Sequence, residues 1–153
     1  WNVAGYSEDT WLADIGHKLY GLKNNECNIN LCGLVTAEKL AQMLAETDIY
    51  VQTSHIENSP NSICEAMLVG TPIIATNVGG TATMLQGCGK LISDGDPYYM
   101  AASIKEVSEN YDLAVMKSAQ GREVALERHN VATIVENLIN IYNIIINSFG
   151  FIL

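Results

Sequence analysis

Residues His55 to Gly80 read HIENSPNSICEAMLVGTPIIATNVGG. Two glutamates, Glu57 and Glu65, stand in it with seven residues between them, in a chain of which only 16% is charged. The apolar run Ser62–Val69 predicts a helix that stops at Gly70, because glycine accepts the left-handed conformation that ends helices. Pro72–Thr76 (PIIAT) predicts a short strand with no polar face, the pattern of a strand buried on both sides. Gly79-Gly80 predicts a turn. Strand, loop, helix, buried strand and glycine turn together are the repeating unit of a parallel sheet.

Working outward, the same alternation continues. Upstream, Trp1–Gly5, Asn28–Leu34 and Ile49–Thr53 predict strands. Glu8–Leu22 predicts a helix with Trp11, Leu12, Ile15, Leu19 and Leu22 on one face, and Trp1 and Trp11 are expected in the core. Thr36 is placed to cap a helix over Ala37–Glu46, with Glu38 suited to its first turn. Downstream, Thr81–Gln86 predicts a short helix and Lys90–Ser93 a strand. Asp96-Pro97 forms an N-cap with proline at the first helical position, opening Tyr98–Asn110. Helices near Leu113–Glu127 and Val131–Ser148 complete the chain. The expected fold is α/β: a Rossmann-like, doubly wound parallel sheet of about five strands, forming a single domain over residues 1–153. Such sheets bind ligands at the carboxyl ends of their strands. The loops after the predicted strands are therefore where chemistry is sought.

Composition narrows the function. The chain has 153 residues, 48% of them hydrophobic, and a formal net charge of −9. One domain of this length buries roughly 70% of its unfolded surface, and disorder is excluded. The acidic balance argues against a nucleic-acid surface, which needs clustered lysine and arginine. It leaves room for a small anionic ligand held by backbone N–H groups at a helix start. Cys27, Cys32, Cys64 and Cys88 lack CxxC spacing and read as reduced thiols of a cytosolic protein. The run VATIVENLINIYNIIINSFGFIL carries Glu136 and several asparagines, so it is no clean membrane span. It has no Lys or Arg for a membrane-surface helix, and a docked amphipathic helix is expected. The opening WNVAGY reads as a strand already in progress, as in a fragment of a longer protein.

On the ligand-binding loops, Gly5 and Gly33 follow the first two strands, either as ordinary turns or to let backbone approach a ligand. After the third strand, Glu57 lies on the loop and Glu65 about one turn into the next helix. The N–H groups near Asn61–Ile63 lie at the positive end of that helix between them. Two acceptors flanking an anion site suit a ligand with hydroxyls on both sides of a phosphate bridge, such as a nucleotide sugar. The plainer alternative is a carboxylate favoured by the helix dipole.

ENSPNSICEAMLVGTPIIATNVGG resembles the E-x7-E signature of retaining GT-B glycosyltransferases, in particular glycosyltransferase family 4. The shared features are a loop glutamate, a proline-containing turn, Glu-Ala-Met, Gly-x-Pro, an apolar strand and a Gly-Gly turn. LCGLVTAEKLAQMLAETDIYVQTS is similar to the strand, glycine, helix and strand that lead into this motif. GKLISDGDPYYMAASI is similar to the strand and proline-capped helix that close the sheet. The likeness covers most of residues 1–148. It implies a cytoplasmic enzyme of two Rossmann-like domains, with this chain the carboxy-terminal, donor-binding one. The amino-terminal acceptor domain would precede Trp1, and any association with the inner membrane surface would run through it.

The implied reaction is retaining transfer of a hexosyl-type group from a nucleotide-diphosphate sugar to a glycan or lipid-linked acceptor, as in polysaccharide biosynthesis. No metal and no other cofactor is implied. By the resemblance, Glu57 is the catalytic carboxylate, contacting the donor sugar near the reacting centre, and Glu65 binds the ribose hydroxyls. Asn58, Ser59, Asn61 and Ser62 contact sugar and phosphate, and Gly33, Leu34 and Val35 lie near the base.

The sequence departs from the family in two places. The basic residues that neutralise the pyrophosphate have no equivalent here, and leaving-group stabilisation needs such charge. The isolated chain is therefore expected not to turn over. Ser59 and Ser62 stand where small glycines often occur, which reshapes the sugar pocket. Asp94-Gly95-Asp96 spells the DxD of metal-dependent GT-A enzymes, but a turn and an N-cap explain both aspartates. His55 is a secondary candidate for donor contact. Two other readings compete: a non-catalytic nucleotide or sugar-phosphate binding module on the same fold, and an unrelated doubly wound interaction domain.

Overall fold

The run after Pro72 is the strand on which the larger part of the fold is built. Ile73, Ile74, Ala75 and Thr76 are all buried, as expected of a strand covered on both faces. The computed structural model describes residues 1–7, 11, 17–19, 21 and 26–149. Within it the chain divides into two compact units, Trp1–Met43 and Leu44–Leu153.

In the first unit, β1 (Asn2–Ala4) and β2 (Asn30–Gly33) pair in parallel, Asn2 opposite Asn30 and Val3 opposite Leu31, with a register shift before Ala4. The ladder is continued by Gly5 N donating to Gly33 O at 2.7 Å and Gly33 N donating to Tyr6 O at 2.8 Å. Gly5 and Gly33 both have positive φ, 95° and 64°, which explains glycine at each. Of the helix expected over Glu8–Leu22, residues 11 and 17–19 are helical and the remainder lies outside the described residues, save Gly21. Trp1 and Trp11 are 62% and 68% exposed, not core. A two-stranded ladder in a short unit offers little apolar surface to cover indoles.

Helix α1 (Ala37–Ala45) carries the chain from one unit to the next. Thr36 Oγ1 accepts from Lys39 N at 3.3 Å, the expected cap. Glu38 in the first turn is held below the usual carboxylate value by a backbone N–H and by the Thr36 hydroxyl.

In the second unit, β3 (Tyr50–Gln52), β4 (Ile73–Thr76) and β5 (Lys90–Ile92) form a parallel sheet with β4 central. Tyr50 pairs with Ile73, and Ile74 with Lys90. Crossovers between parallel strands are made by α2 (Asn61–Val69) and α3 (Thr81–Leu85). Ile63, Ala66 and Met67 of α2 and Leu85 of α3 are packed into the core with Ile74 and Ile92. α2 ends at Gly70, φ 88°, whose N–H donates to Ala66 O and Met67 O, both at 3.0 Å. α4 (Pro97–Glu109) starts with Asp96 Oδ1 accepting from Tyr99 N at 2.9 Å.

α5 (Tyr111–Arg128) packs on α2, with Gly121 close to Met67 and with Ser118, Gly121 and Ala125 buried. A Cβ on Gly121 would stand 3.0 Å from Cys88 Cβ, a close approach at which the Cys88 side chain would have to give way. Arg122 Nε donates to Leu68 O at 3.0 Å, and Arg128 Nη2 to Met84 O at 2.9 Å. The arginines of α5 therefore bond carbonyls of α2 and α3.

The fold class is that expected, α/β with parallel strands and crossover helices. Of the five described strands, β1 and β2 pair in the first unit and β3, β4 and β5 in the second. One expectation changes. The last helix, α6 (Val131–Phe149), is amphipathic as its spacing predicts, but all of residues 131–148 are exposed, so it is not docked within the described structure. Helical periodicity reports that a face is apolar; it does not report which surface covers it. Among the described residues no helix is long and apolar enough to cross a membrane.

Candidate functional site

The carboxyl ends of β3, β4 and β5 carry three loops that bond to one another. Thr76 Oγ1, at the end of β4, donates to Ser54 O at 2.6 Å. Gly80 N, after β4, donates to Asn58 O at 2.9 Å. His55 Nδ1 lies 3.2 Å from Asp94 Oδ2, which joins the loop after β3 to the loop after β5.

Glu57 sits in the middle of this arrangement. It is half-buried. Its Oε1 accepts from Ser54 Oγ at 2.7 Å and from Gln52 Nε2 at 3.0 Å. Beneath it lies the Gly79-Gly80 turn. A Cβ on Gly79 would overlap Glu57 O, and one on Gly80 would overlap Asn58 O. Gly79 also has φ 53°. The two glycines are thus required by the close approach of the Glu57–Asn58 backbone, which gives the motif's Gly-Gly a physical reason.

Glu65 projects from the second turn of α2 and is exposed. Among the described residues no side chain caps the amino end of α2: Pro60 occupies the N-cap, and its carbonyl accepts from Ile63 N at 3.2 Å and Cys64 N at 3.4 Å. The first N–H groups of a helix have no partner inside it. Asn61 and Ser62 provide these, with no acidic residue in the first turn. Tyr50, on β3, connects this end to both carboxylates. Burial pushes its phenol above the usual tyrosine value, a hydrogen bond with Ser62 pulls it back in part, and the charges of Glu65 and Glu57 push it up further. Glu57 and Glu65 therefore lie within electrostatic reach of one phenol.

The remaining expected site residues divide. Asn58, Ser59 and Asn61 are exposed on the loop and helix start, and Ser62 is half-buried. Ser59 turns its hydroxyl towards Met84 Sδ at 3.6 Å. Gly33, Leu34 and Val35 belong to the other unit, Trp1–Met43, where Leu34 is 94% exposed. Asp94 and Asp96 have separate duties, one facing His55 and the other capping α4. Among the described residues no three His, Cys, Asp or Glu side chains gather as a metal site.

Sequence reasoning missed Gln52 and Ser54 as partners of Glu57. The available signal was Gln52 itself. A polar side chain closing an apolar strand such as IYVQ is buried, and a buried polar group needs a partner nearby.

With the geometry in hand, residues 2–110 match the family described as glycosyl transferases, group 1. The chain belongs to the group 1 glycosyl transferases. This group 1 glycosyl transferase is 28% identical over 124 residues to a poly(ribitol-phosphate) alpha-N-acetylglucosaminyltransferase of Staphylococcus aureus, covering 79% of the chain. The chain spans about a quarter of that relative, 25% of its length. Among solved structures it resembles HepE of Anabaena in complex with UDP-glucose, with TM-score 0.78 and 22% identity, over 93% of this chain and 40% of that one. It also resembles a sucrose-phosphate synthase of Thermosynechococcus elongatus, with TM-score 0.76 and 23% identity, over 96% of this chain and 38% of that one. At these identities the likeness is one of fold. The group 1 glycosyl transferase fold seen here is a Rossmann-like fragment of the GT-B architecture.

Proposed function

We propose that this chain is the carboxy-terminal, donor-binding domain of a retaining family 4 glycosyltransferase. The full enzyme moves a hexosyl-type group from a nucleotide-diphosphate sugar to a glycan or lipid-linked acceptor, in the cytoplasm or at the inner membrane surface. The carrying observation is Glu57, a half-buried carboxylate fixed at the carboxyl edge of a parallel sheet in a group 1 glycosyl transferase.

Glu57 acts at the donor sugar near the reacting centre. Glu65 takes the ribose hydroxyls. The uncapped start of α2, with Asn58, Ser59, Asn61 and Ser62, holds sugar and phosphate, because helix N-termini favour anions. Gly33, Leu34 and Val35 face the base. The binding of UDP-glucose by HepE supports a uridine nucleotide as the first donor to try. An amino-terminal acceptor domain completes the enzyme, a reading supported by the small share of its relatives that the chain spans and by the uncovered apolar face of α6. The chain alone does not turn over, because the family's basic residues that stabilise the departing pyrophosphate have no equivalent in it. No metal takes part.

The test is Glu57→Gln in the full-length protein, assayed with UDP-glucose and UDP-N-acetylglucosamine. Turnover falls by about 100-fold or more, the scale of losing a group that acts in the transition state, while UDP affinity changes little. Turnover close to wild type would remove Glu57 from the reacting centre.

A further inference from the structure

The carboxylate of Glu57 does not stand alone. Gln52 Nε2 at 3.0 Å and Ser54 Oγ at 2.7 Å both donate to its Oε1. Among the described residues its Oε2 receives no hydrogen bond from the protein. One oxygen is thus tethered and the other left for a ligand. Two donors from different positions fix both the direction of the carboxylate and the plane in which it lies.

The tether reaches back into the core. Gln52 is the last residue of β3 and only 7% exposed. Its own Oε1 is buried and has no partner among the described residues. Turning the amide over would aim that oxygen at the Glu57 carboxylate, acceptor against acceptor. The amide is therefore committed to Glu57 through its nitrogen. Ser54 is held in turn by its carbonyl, which accepts from Thr76 Oγ1 at 2.6 Å. Thr76 is buried at the end of β4. The path from sheet to carboxylate runs through Thr76, Ser54 and Glu57 on one side and through Gln52 on the other.

We infer that Gln52 and Ser54 are positioning residues. They hold one oxygen of Glu57 so that the other meets the donor sugar in a single orientation. This rests on the reading of Glu57 given above. A carboxylate released from its tethers would sample several side-chain rotamers, and misplacement by about 1 Å can cost about 100-fold in rate.

The experiment is a set of mutant cycles in the full-length protein, with UDP-glucose and UDP-N-acetylglucosamine as donors and kcat and KM measured separately. Ser54→Ala and Gln52→Met are each expected to lower kcat by about tenfold, with KM for the donor within about threefold. Ser54→Thr, which keeps a hydroxyl, recovers most of the loss. The deciding measurement is the same pair of substitutions in the Glu57→Gln background. Residues that act through Glu57 lose most of their effect there, to less than about twofold. Residues that merely support the fold subtract the same factor in both backgrounds. Equal losses in the two backgrounds overturn the inference, and so does near-normal kcat in both Ser54→Ala and Gln52→Met. If Glu57→Gln itself is near wild type, the role of Glu57 fails first, and the two failures are told apart by that single variant. Melting temperatures of the variants identify any that fail to fold. In that case Ser54→Ala against Ser54→Thr, each of which differs from serine by one non-hydrogen atom, carries the decision.

Discussion

The backbone carbonyl of Glu57 occupies the place where a side chain on Gly79 would begin. Gly79 also stands at φ 53°, a region that L side chains rarely adopt. Gly79→Ala therefore has to move the loop or strain its own backbone. The expected cost is about 1–3 kcal/mol of stability, with a disproportionate loss of turnover because the displaced atoms belong to Glu57. Thermal unfolding and donor turnover measured on the same preparation check this. An unchanged melting temperature with full activity would mean that the turn does not support the loop.

Glu65 gives a different prediction. It is exposed and projects from α2, one turn beyond the free N–H groups of Asn61 and Ser62. If it binds ribose hydroxyls, Glu65→Ala removes charged hydrogen bonds worth about 1.5–3 kcal/mol. Donor KM should then rise by roughly 10- to 100-fold with kcat changed far less, since that interaction is the same before and during reaction. A fall in kcat at constant KM would assign Glu65 to the chemistry instead.

The behaviour at alkaline pH follows from three groups. Burial pushes the Tyr50 phenol up, burial pushes the Cys64 thiol up, and a hydrogen bond with Glu106 raises Lys90. A group whose folded value lies above its unfolded one contributes stability below the unfolded value and loses it as pH rises through the folded value. All three therefore destabilise the fold in the same direction, from about pH 8.5 for the thiol and from about pH 10 for the phenol and the amine. Each contributes at most about 1.4 kcal/mol per pH unit. The Lys90 share is smallest, because a surface pair is worth about 1 kcal/mol or less. Melting temperature should fall as pH rises above about 8.5. Tyr50→Phe should flatten the part above pH 10, even though it gives up the hydrogen bond with Ser62. The same fall in Tyr50→Phe as in wild type would exclude the phenol as a cause.

Much of the fold was legible in the residues. PIIAT announced a strand without a polar face, Gly70 announced the end of α2, and Asp96-Pro97 announced the start of α4; the structure has all three. These features are local, set by backbone preferences and capping that need no knowledge of distant residues. What could not be read was non-local. The Gln52–Glu57 contact depends on how a loop folds back on its strand. Exposure of Trp1 and Trp11 and of the apolar side of α6 depends on how much protein is present to cover them. The candidate site was legible in the same measure. Glu57, Glu65 and the glycines are picked out by their resemblance to the E-x7-E signature, whereas the two residues that hold Glu57 are hidden in an ordinary strand and loop.

The uncovered side of α6 supplies the last prediction. Leu138, Ile141 and Ile145 have helical spacing, yet each is exposed, whereas Met67 of α2 is buried in the core. Truncating a buried methionine costs about 2–5 kcal/mol, from lost transfer energy and the cavity left behind. Substituting an exposed residue usually changes stability by within about 0.5 kcal/mol. Met67→Ala should therefore lower the melting temperature of this chain by several degrees, at roughly 2–4 °C per kcal/mol for a domain of this size. Leu138→Ala and Ile145→Ala should leave it almost unchanged. In the full-length protein the two α6 substitutions acquire a cost if another part of the enzyme covers that face, because the same side chains are then buried. Equal effects in the isolated chain and the full-length protein would mean that α6 remains uncovered in both. A large loss already in the isolated chain would restore the docked helix that the sequence pattern predicts.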